Sequence, residues 1–304
     1  MNDPFSIVYC DRKSGSLMNE SVYGTGFLYW SYNTRLGRLA TDLIFRQKWF
    51  SQLYGWFNKQ PVSRYKIRGF VRNMKVSLGE LVHPLGDFKS FNYFFIREID
   101  HSKRYMDPDP LVCIAPVDGK VLVFKGIEPE TTFRIKRSLF NLRQFLCDDS
   151  LTKRFTNGSM VVCRLCLTDY HHFHFPTSGI PGPAMAIRGK CYAGGPYSLR
   201  RLVPFYTENY RMITLFESDH FGQMAIIEIG ALTVSSIQQK YQTGVPVRKG
   251  SRKGYFELGG STVVLLFQQD MIEFDEDLLV HTRNGIETYV HLGESIGRVL
   301  QPSF

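Results

Sequence analysis

Residues 111–124, LVCIAPVDGKVLVF, contain two short apolar runs separated by an Asp-Gly pair. Apolar runs of this length are typical of β-strands, and Asp118 followed by Gly119 is a common sequence for a hairpin turn. The stretch therefore predicts a strand, a turn and a second strand. Asp118 has an ordinary explanation as a turn residue, and a catalytic role is the alternative.

Short apolar runs with glycine and proline between them continue toward the C-terminus. We expect further β-strands at 159–167, 184–192, 211–217, 223–234 and 262–268. This part of the chain predicts a β-rich, mainly antiparallel body that occupies residues 109–304.

Upstream, the sequence from about residue 22 to 58 has a helical pattern. Its apolar residues recur at steps of three, four or seven, at Leu36, Leu39, Leu43, Phe50, Leu53 and Phe57. Pro61 marks a break. Residues 1–20 are expected to be an irregular lead-in, and 62–100 a set of short helices. The predicted fold class is α+β, with an N-terminal amphipathic helical region at 1–108.

The positive charge of the chain is concentrated in one segment. The net charge is +9, and the stretch from Arg35 to Lys75 holds ten basic residues and one acid, Asp42. Such a face favours a polyanion, either nucleic acid or an anionic lipid surface. There is no zinc-finger, KH or RRM signature, and Trp and Leu share the segment, which favours lipid over nucleic acid. Core packing is the simpler explanation of the apolar stripe.

The sequence shows no sign of membrane insertion or export. Apolar runs such as 263–267 are far shorter than the roughly 18 residues that a membrane span needs. The N-terminus lacks the apolar core of a secretory signal. The six cysteines have no disulfide-framework spacing, which favours a reducing cytoplasm. We therefore expect neither an integral membrane protein nor a secreted one.

The segment DYHHFHFP is the first candidate for chemistry. His171, His172 and His174 fall within four positions in an aromatic frame, which suggests acid/base or metal chemistry. Cys163 and Cys166 stand just upstream with the C-x-x-C spacing of metal sites. They lie in a predicted strand, however, where residues three apart point to opposite faces. We therefore predict no metal site.

A second candidate is the glycine-serine step in GYFELGGSTVVLLF (254–267). Gly259 and Gly260 can simply form a turn that enters a strand. Because glycine has no Cβ, the Gly260 carbonyl is also open to attack by the Ser261 hydroxyl. A serine hydroxyl needs a base and a group that orients the base. Asp118 and the histidines supply those residue types.

Several motifs occur together and in one order. They are SFNYFFIREI (90–99), APVDGKV (115–121), FRIKRSLFNLRQFL (133–146), DYHHFHFP (169–176), TENYRMI (207–213), IIEIGALTVSSI (226–237), KGYFELGGSTVVLLF (253–267) and HLGESIGRV (291–299). In this the sequence resembles the phosphatidylserine decarboxylase family over nearly the full chain. Members of that family are pyruvoyl-dependent enzymes that make phosphatidylethanolamine.

The resemblance implies a proenzyme that cuts its own chain between Gly260 and Ser261. Attack by Ser261 on the Gly260 carbonyl, an N-to-O acyl shift and β-elimination would leave dehydroalanine. Hydrolysis would then give a large chain, 1–260, and a small chain, 261–304, that begins with a pyruvoyl group.

The resemblance also implies roles for individual residues. Asp118, His174 and Ser261 would form the charge-relay set for the cut, with His174 taking the serine proton and Asp118 holding the imidazole. His171 would handle a proton in decarboxylation. His172 departs from the family pattern, which commonly has arginine at this position.

The implied cofactor is the pyruvoyl group derived from Ser261, which forms a Schiff base with phosphatidylserine and releases CO2. The implied partner is phosphatidylserine in an anionic membrane, reached from the cytoplasmic face of the cell membrane by a peripheral protein. The large and small chains of the proenzyme would stay together. A homodimer is implied by the resemblance alone, and no nucleic acid is expected.

Two other functions fit part of the pattern. One is an uncleaved hydrolase that uses Ser261, His174 and Asp118, although the chain lacks the G-x-S-x-G motif of many such enzymes. The other is a non-enzymatic membrane adaptor that binds through residues 22–75.

Overall fold

A computed structural model describes residues 7–20, 25–41, 43, 48–130, 133–135, 138–189, 205–230, 237–258 and 261–300. Within these residues the chain is a mixed α+β protein with mostly antiparallel sheets, which confirms the predicted fold class. The α-helices are α1 Thr25–Asn33, α2 Arg35–Ala40, α3 Lys48–Lys59, α4 Tyr65–Met74, α5 Phe91–Phe95, α6 Leu142–Leu146, α7 Asp149–Phe155, α8 Phe205–Glu208 and α9 Glu276–Arg283.

Strands dominate the chain after residue 111. The described strands are β1 Val8–Asp11, β2 Ser16–Asn19, β3 Val112–Ile114, β4 Gly119–Ile127, β5 Phe133–Ile135, β6 Ser138–Phe140, β7 Gly158–Leu165, β8 His172–His174, β9 Gly179–Ile187, β10 Arg211–Ser218, β11 Gly222–Ile229, β12 Ile237–Gln239, β13 Arg252–Phe256, β14 Ser261–Phe267, β15 Ile272–Phe274, β16 Glu287–Val290 and β17 Ser295–Val299. The largest described sheet has the order β2-β1-β16-β4-β7-β14-β11-β10-β9. Smaller sheets are β12-β13-β8, β15-β17-β3 and β5-β6.

Strand β14 lies inside the large sheet, between β7 and β11. Its side chains alternate between two cores, as the pleat of a strand requires. Val263 and Leu265 pack into the core on one face, and Val264 and Leu266 into the core on the other. A strand buried on both faces has a continuous apolar sequence, and this explains the run VVLLF.

The hairpin predicted for residues 111–124 is wrong in its pairing. Both strands form, but β3 pairs with β17 and β4 pairs with β7 and β16, in different sheets. The link between them crosses from one sheet to the other, and Asp118 is buried there rather than exposed at a turn.

The expectation that residues 1–20 form an irregular lead-in is also wrong for the described part. β1 pairs in parallel with β16, and β2 pairs with β1 at the end of the large sheet. Strands β1 and β2 therefore extend the sheet of the body. The predicted boundary near residue 108 stays a prediction.

The helical segment is divided into shorter helices. Thr34 has an extended backbone, and its hydroxyl accepts a hydrogen bond from the Gly37 amide (2.9 Å), which starts α2. α3 ends at Lys59, and a 3-10 turn begins at Pro61. The leucines of the apolar stripe are exposed rather than core: the exposed fractions are 67% for Leu36, 62% for Leu43 and 55% for Leu53. Phe57 is half-buried, and the Phe50 side chain lies outside the described part.

A buried ion pair joins the large sheet to the sheet β12-β13-β8. The Lys253 ammonium on β13 donates to Glu228 on β11 (2.8 Å), Thr214 on β10 (3.0 Å) and Gln239 on β12 (2.9 Å). Lys253 and Glu228 are fully buried, and burial lowers the pKa of the lysine and raises that of the glutamate. The three acceptors satisfy all three ammonium protons.

We expect Lys253→Met to lower the free energy of unfolding by about 3–5 kcal/mol, because it leaves the Glu228 carboxylate buried without its cation. Chemical denaturation would measure the change. The matched control is Arg298→Met, since Arg298 pairs with Asp109 at the surface (3.4 Å). Its cost should stay below about 1 kcal/mol. Equal losses in the two variants would contradict a special role for the buried pair.

Candidate active site

The three clustered histidines lie on or just before β8, and all of them are buried. β8 pairs with β13, which places His174 opposite Arg252 and His172 opposite Tyr255. The Lys253 ion pair anchors β13, so it also fixes the strand that supports the histidines.

His174 is a neutral base with a defined tautomer. Its Nδ1 donates to the Gly250 carbonyl (2.8 Å), so Nε2 carries the lone pair and accepts from the Tyr170 hydroxyl (3.3 Å). Burial lowers its pKa to about 3. A neutral imidazole with its Nε2 lone pair turned toward a weak donor can accept a proton from a nucleophile.

His171 has an unused nitrogen. Its Nδ1 donates to the Asp169 carbonyl (2.8 Å), and its ring lies 3.8 Å from the Phe95 ring, measured between centroids. The buried Nε2 has no hydrogen-bond partner among the described residues. Burial, and then the charge of Arg97, lower the pKa of His171 to about 3. Such an unsatisfied atom is costly to bury unless a ligand, an ion or a water molecule meets it.

His172 holds the helical region against the histidine strand. Its Nε2 donates to the Ile96 carbonyl (2.9 Å), and its ring is stacked parallel to Tyr170 at 4.8 Å. Burial lowers its pKa to about 4. The residue is therefore neutral, and its buried Nδ1, like Nε2 of His171, has no partner among the described residues.

Asp118 is held by a bidentate ion pair. Arg104 donates to both carboxylate oxygens (2.9 Å each), and the Leu292 amide donates to one of them (2.8 Å). His291 Nδ1 lies 3.8 Å from Oδ1. Burial alone would raise the pKa of Asp118, but His291 and Arg104 outweigh it and hold the pKa below its ordinary value. The interaction with Asp118 raises the pKa of His291.

The predicted residues are brought together in part. The His174 amide donates to the Pro116 carbonyl (2.8 Å), two residues before Asp118. Among the described residues, however, the Gly250 backbone carbonyl and not the Asp118 carboxylate is the partner of His174 Nδ1. The charge-relay assignment of Asp118 stays a prediction.

The proposed cleavage site is only partly included in the described residues. Gly259 and Gly260 fall outside the described residues, and Ser261 is described by its backbone. That backbone starts β14 and lies opposite Leu165. The next residue, Thr262, has a buried hydroxyl with no partner in the described part of the chain.

Sequence reasoning missed three groups that hold the site. Arg104 binds Asp118, His291 lies beside it, and the Gly250 carbonyl fixes the His174 tautomer. His291 belongs to the motif HLGESIGRV and could have been singled out as its titratable residue. Neither Arg104 nor a backbone carbonyl had any signal of its own in the sequence.

The C-x-x-C pair is split between two environments. Cys163 lies in a hydrophobic core. Cys166 Sγ accepts from Lys120 (2.8 Å) and donates to Glu20 (3.0 Å). Within the described ranges, no group of three His, Cys, Asp or Glu is arranged to hold a metal ion. No described helix is both long and apolar enough to cross a bilayer.

Comparisons with known proteins point to one family. A family model described as phosphatidylserine decarboxylase matches residues 91–298. A phosphatidylserine decarboxylase proenzyme of Chlamydia muridarum is 40% identical over 291 residues, which cover 96% of this chain and 97% of the relative. Proenzymes of the same name from Chlamydia trachomatis serovar D and Desulfitobacterium hafniense (strain Y51) are 38% and 37% identical and cover 97% and 98% of the relatives.

We expect the buried neutral histidines to make folding stability fall in acid. Their folded pKa values lie below the ordinary 6.5, so below pH 6.5 the unfolded chain binds protons that the folded chain excludes. The stability they contribute is present above pH 6.5 and is lost as the pH falls toward about 4. Each histidine adds a slope of up to about 1.4 kcal/mol per pH unit.

The free energy of unfolding, measured by denaturant titration between pH 7 and 4.5, would test this expectation. His172→Gln should reduce the slope by up to about 1.4 kcal/mol per pH unit. The control His220→Gln, at an exposed position in the turn after β10, should leave it unchanged. Equal slopes for all three proteins would contradict the burial of a neutral His172.

Proposed function

Because this chain belongs to the phosphatidylserine decarboxylase family, we propose that it is a proenzyme that cuts its Gly260–Ser261 bond and then converts phosphatidylserine to phosphatidylethanolamine. As a member it is an enzyme, a carboxy-lyase. The observation that carries the proposal is the neutral, tautomer-fixed His174 on a strand whose neighbour, β13, leads toward the glycine-serine step.

In the proposed cut, the Ser261 hydroxyl attacks the Gly260 carbonyl. His174 Nε2 takes the hydroxyl proton, since Nδ1 is already committed to the Gly250 carbonyl. Asp118, with its charge held by Arg104, supports the site from the segment that binds the His174 amide. The products are a large chain, 1–260, and a small chain, 261–304.

The cofactor of the proposed reaction is a pyruvoyl group made from Ser261. When present, this group supplies a carbonyl that holds the substrate amine and accepts the electron pair left by CO2. The surroundings fit such a group, because His171 offers a buried nitrogen without a partner among the described atoms. The Nε2 lone pair of His171 can accept a hydrogen bond or, in passing, a proton, and the Phe95 ring against it excludes water.

We further propose that the N-terminal region, within 1–108, brings the protein to an anionic membrane surface as a peripheral protein at the cytoplasmic face. Its exposed apolar side chains include Leu53 (55% exposed) and Trp56 (60%) on α3. A cleft of about 640 Å³ beside α4 is lined in part by Arg64, Tyr65 and Arg68. A lipid interface binds exposed apolar side chains and basic side chains together.

We expect intact mass measured under denaturing conditions to show two chains, 1–260 and 261–304, with the small chain blocked to Edman sequencing. Ser261→Ala should stay as one uncut chain and should not decarboxylate phosphatidylserine, because the nucleophile is missing. Ser14→Ala, at an exposed serine bonded to Asp11, is the matched control and should be cut and active.

An uncut wild-type chain that turns over phosphatidylserine would overturn the self-cleavage proposal. An uncut chain that acylating inhibitors label at Ser261 would instead favour the hydrolase.

We expect a double variant, Leu53→Ser with Trp56→Ser, to bind phosphatidylglycerol vesicles at least about tenfold more weakly, because two apolar side chains no longer enter the interface. Sedimentation with vesicles would measure the affinity. Turnover of a soluble, short-chain phosphatidylserine should not change. The control is Leu17→Ser, which removes a leucine of similar exposure (62%) from β2. A similar loss in the control would show that the surface has no special role.

A further inference from the structure

Arg97 is a buried cation with an unused donor. The residue is 5% exposed, and its Nη2 donates to the carbonyls of Thr168 (2.5 Å) and Asp169 (3.1 Å). Its Nη1 has no hydrogen-bond partner in the described part of the chain. Its hydrogen bonds go to neutral carbonyls, and it forms no ion pair within 4 Å in the described part of the chain. Burial lowers its pKa, although the charges of Asp169 and Asp118 act to raise it.

The nearest carboxylate along this segment is engaged elsewhere. The Asp169 side chain accepts from the Cys166 amide at Oδ2 (2.6 Å) and from the Tyr289 hydroxyl at Oδ1 (3.3 Å). Arg97 therefore hydrogen-bonds the backbone carbonyl of Asp169 and not its carboxylate. The Phe94 ring, 5.3 Å from the guanidinium carbon, gives the cation an aromatic wall.

Arg97 and His171 donate hydrogen bonds to the same backbone carbonyl. The Asp169 carbonyl accepts both from Arg97 Nη2 and from His171 Nδ1 (2.8 Å). On each residue the other nitrogen, Nη1 of Arg97 and Nε2 of His171, is buried and has no partner among the described atoms. An unused cationic donor and an unused imidazole nitrogen thus occur on neighbouring side chains. This segment follows β7, whose residue Leu165 lies opposite Ser261.

We propose that Arg97 binds the phosphodiester of the phospholipid substrate through Nη1. This inference rests on the proposed function, because it places the substrate headgroup beside His171. A phosphate oxygen is a strong acceptor for a guanidinium donor. The phosphodiester is separated from the reacting carbon by only an oxygen and a methylene, so a group that fixes it also positions the bond that breaks.

The substrate carboxylate is the other anion of the headgroup, and it fits Arg97 less well. A cation against the carboxylate would stabilise the charge that disappears when CO2 leaves, so it would favour the ground state over the transition state. The phosphodiester keeps its charge throughout the reaction. Binding there holds the substrate without opposing decarboxylation.

Calorimetry on the processed wild-type protein gives a test that does not depend on turnover. The probe is dihexanoyl phosphatidylethanol below its micelle concentration, since it has the phosphodiester but neither amine nor carboxylate. We expect it to bind at least about tenfold more tightly than uncharged dihexanoylglycerol. Equal affinities of the two probes for the wild-type protein would overturn the proposal without any variant.

Arg97→Gln should weaken binding of dihexanoyl phosphatidylethanol by about 10- to 100-fold. It should leave the weaker binding of N-acetyl-O-hexylserine, which has a carboxylate but no phosphodiester, unchanged. The matched control is Arg283→Gln, at an exposed arginine paired with Glu276, and it should bind both probes like the wild type. Arg97→Lys keeps the charge and should lie between wild type and Arg97→Gln.

The reverse pattern, with the carboxylate probe weakened and the phosphodiester probe unaffected, would overturn the proposal in favour of the carboxylate. A wild-type protein could also cut itself and decarboxylate phosphatidylserine but bind the phosphodiester probe no more tightly than the uncharged one. That result would overturn the Arg97 inference and leave the proposed function intact. A wild-type chain that neither cuts itself nor decarboxylates phosphatidylserine would remove the proposed function.

Discussion

The buried Lys253–Glu228 ion pair is the contact that fixes the site. A charged lysine is costly inside a core unless all its protons are bonded, and here Glu228, Thr214 and Gln239 accept them. These acceptors come from three strands in two sheets, so the ammonium ties the two sheets together. β13, which carries Lys253, pairs with the histidine strand and precedes the glycine-serine step. The position of the histidines therefore depends on a pair that takes no part in the chemistry.

Local patterns in the sequence predicted many of the β-strands, but they did not predict which strands pair with each other. The run VVLLF predicted β14 because burial on both faces leaves a continuous apolar sequence. The Asp-Gly pair at Asp118 predicted a hairpin, yet β3 pairs with β17, far along the chain. A turn signal concerns four residues, whereas strand pairing is decided by which surfaces the whole chain buries. The strands within residues 1–20 escaped prediction for the same reason, since β1 is held by β16.

In the candidate site, too, the sequence identified individual residues but not the contacts between them. Residue types and spacing identified the histidine segment, Asp118 and the glycine-serine step. The Gly250 carbonyl fixes the tautomer of His174 and burial keeps its imidazole neutral, and neither leaves a trace in the sequence. The unused nitrogens of His171 and Arg97 become visible only when every neighbour is in place. Burial and non-local hydrogen bonds are properties of the assembled fold.

The position of β14 inside the large sheet affects whether the protein can refold after it has been cut. Before a cut at Gly260–Ser261, β14 reaches its place between β7 and β11 as part of one chain, so folding is a unimolecular event. After the cut, a denatured molecule would have to find its central strand from solution, and recovery would depend on protein concentration. The protein would thus fold once, before the cut. Afterwards the lifetime of the native state would be set by the rate of unfolding.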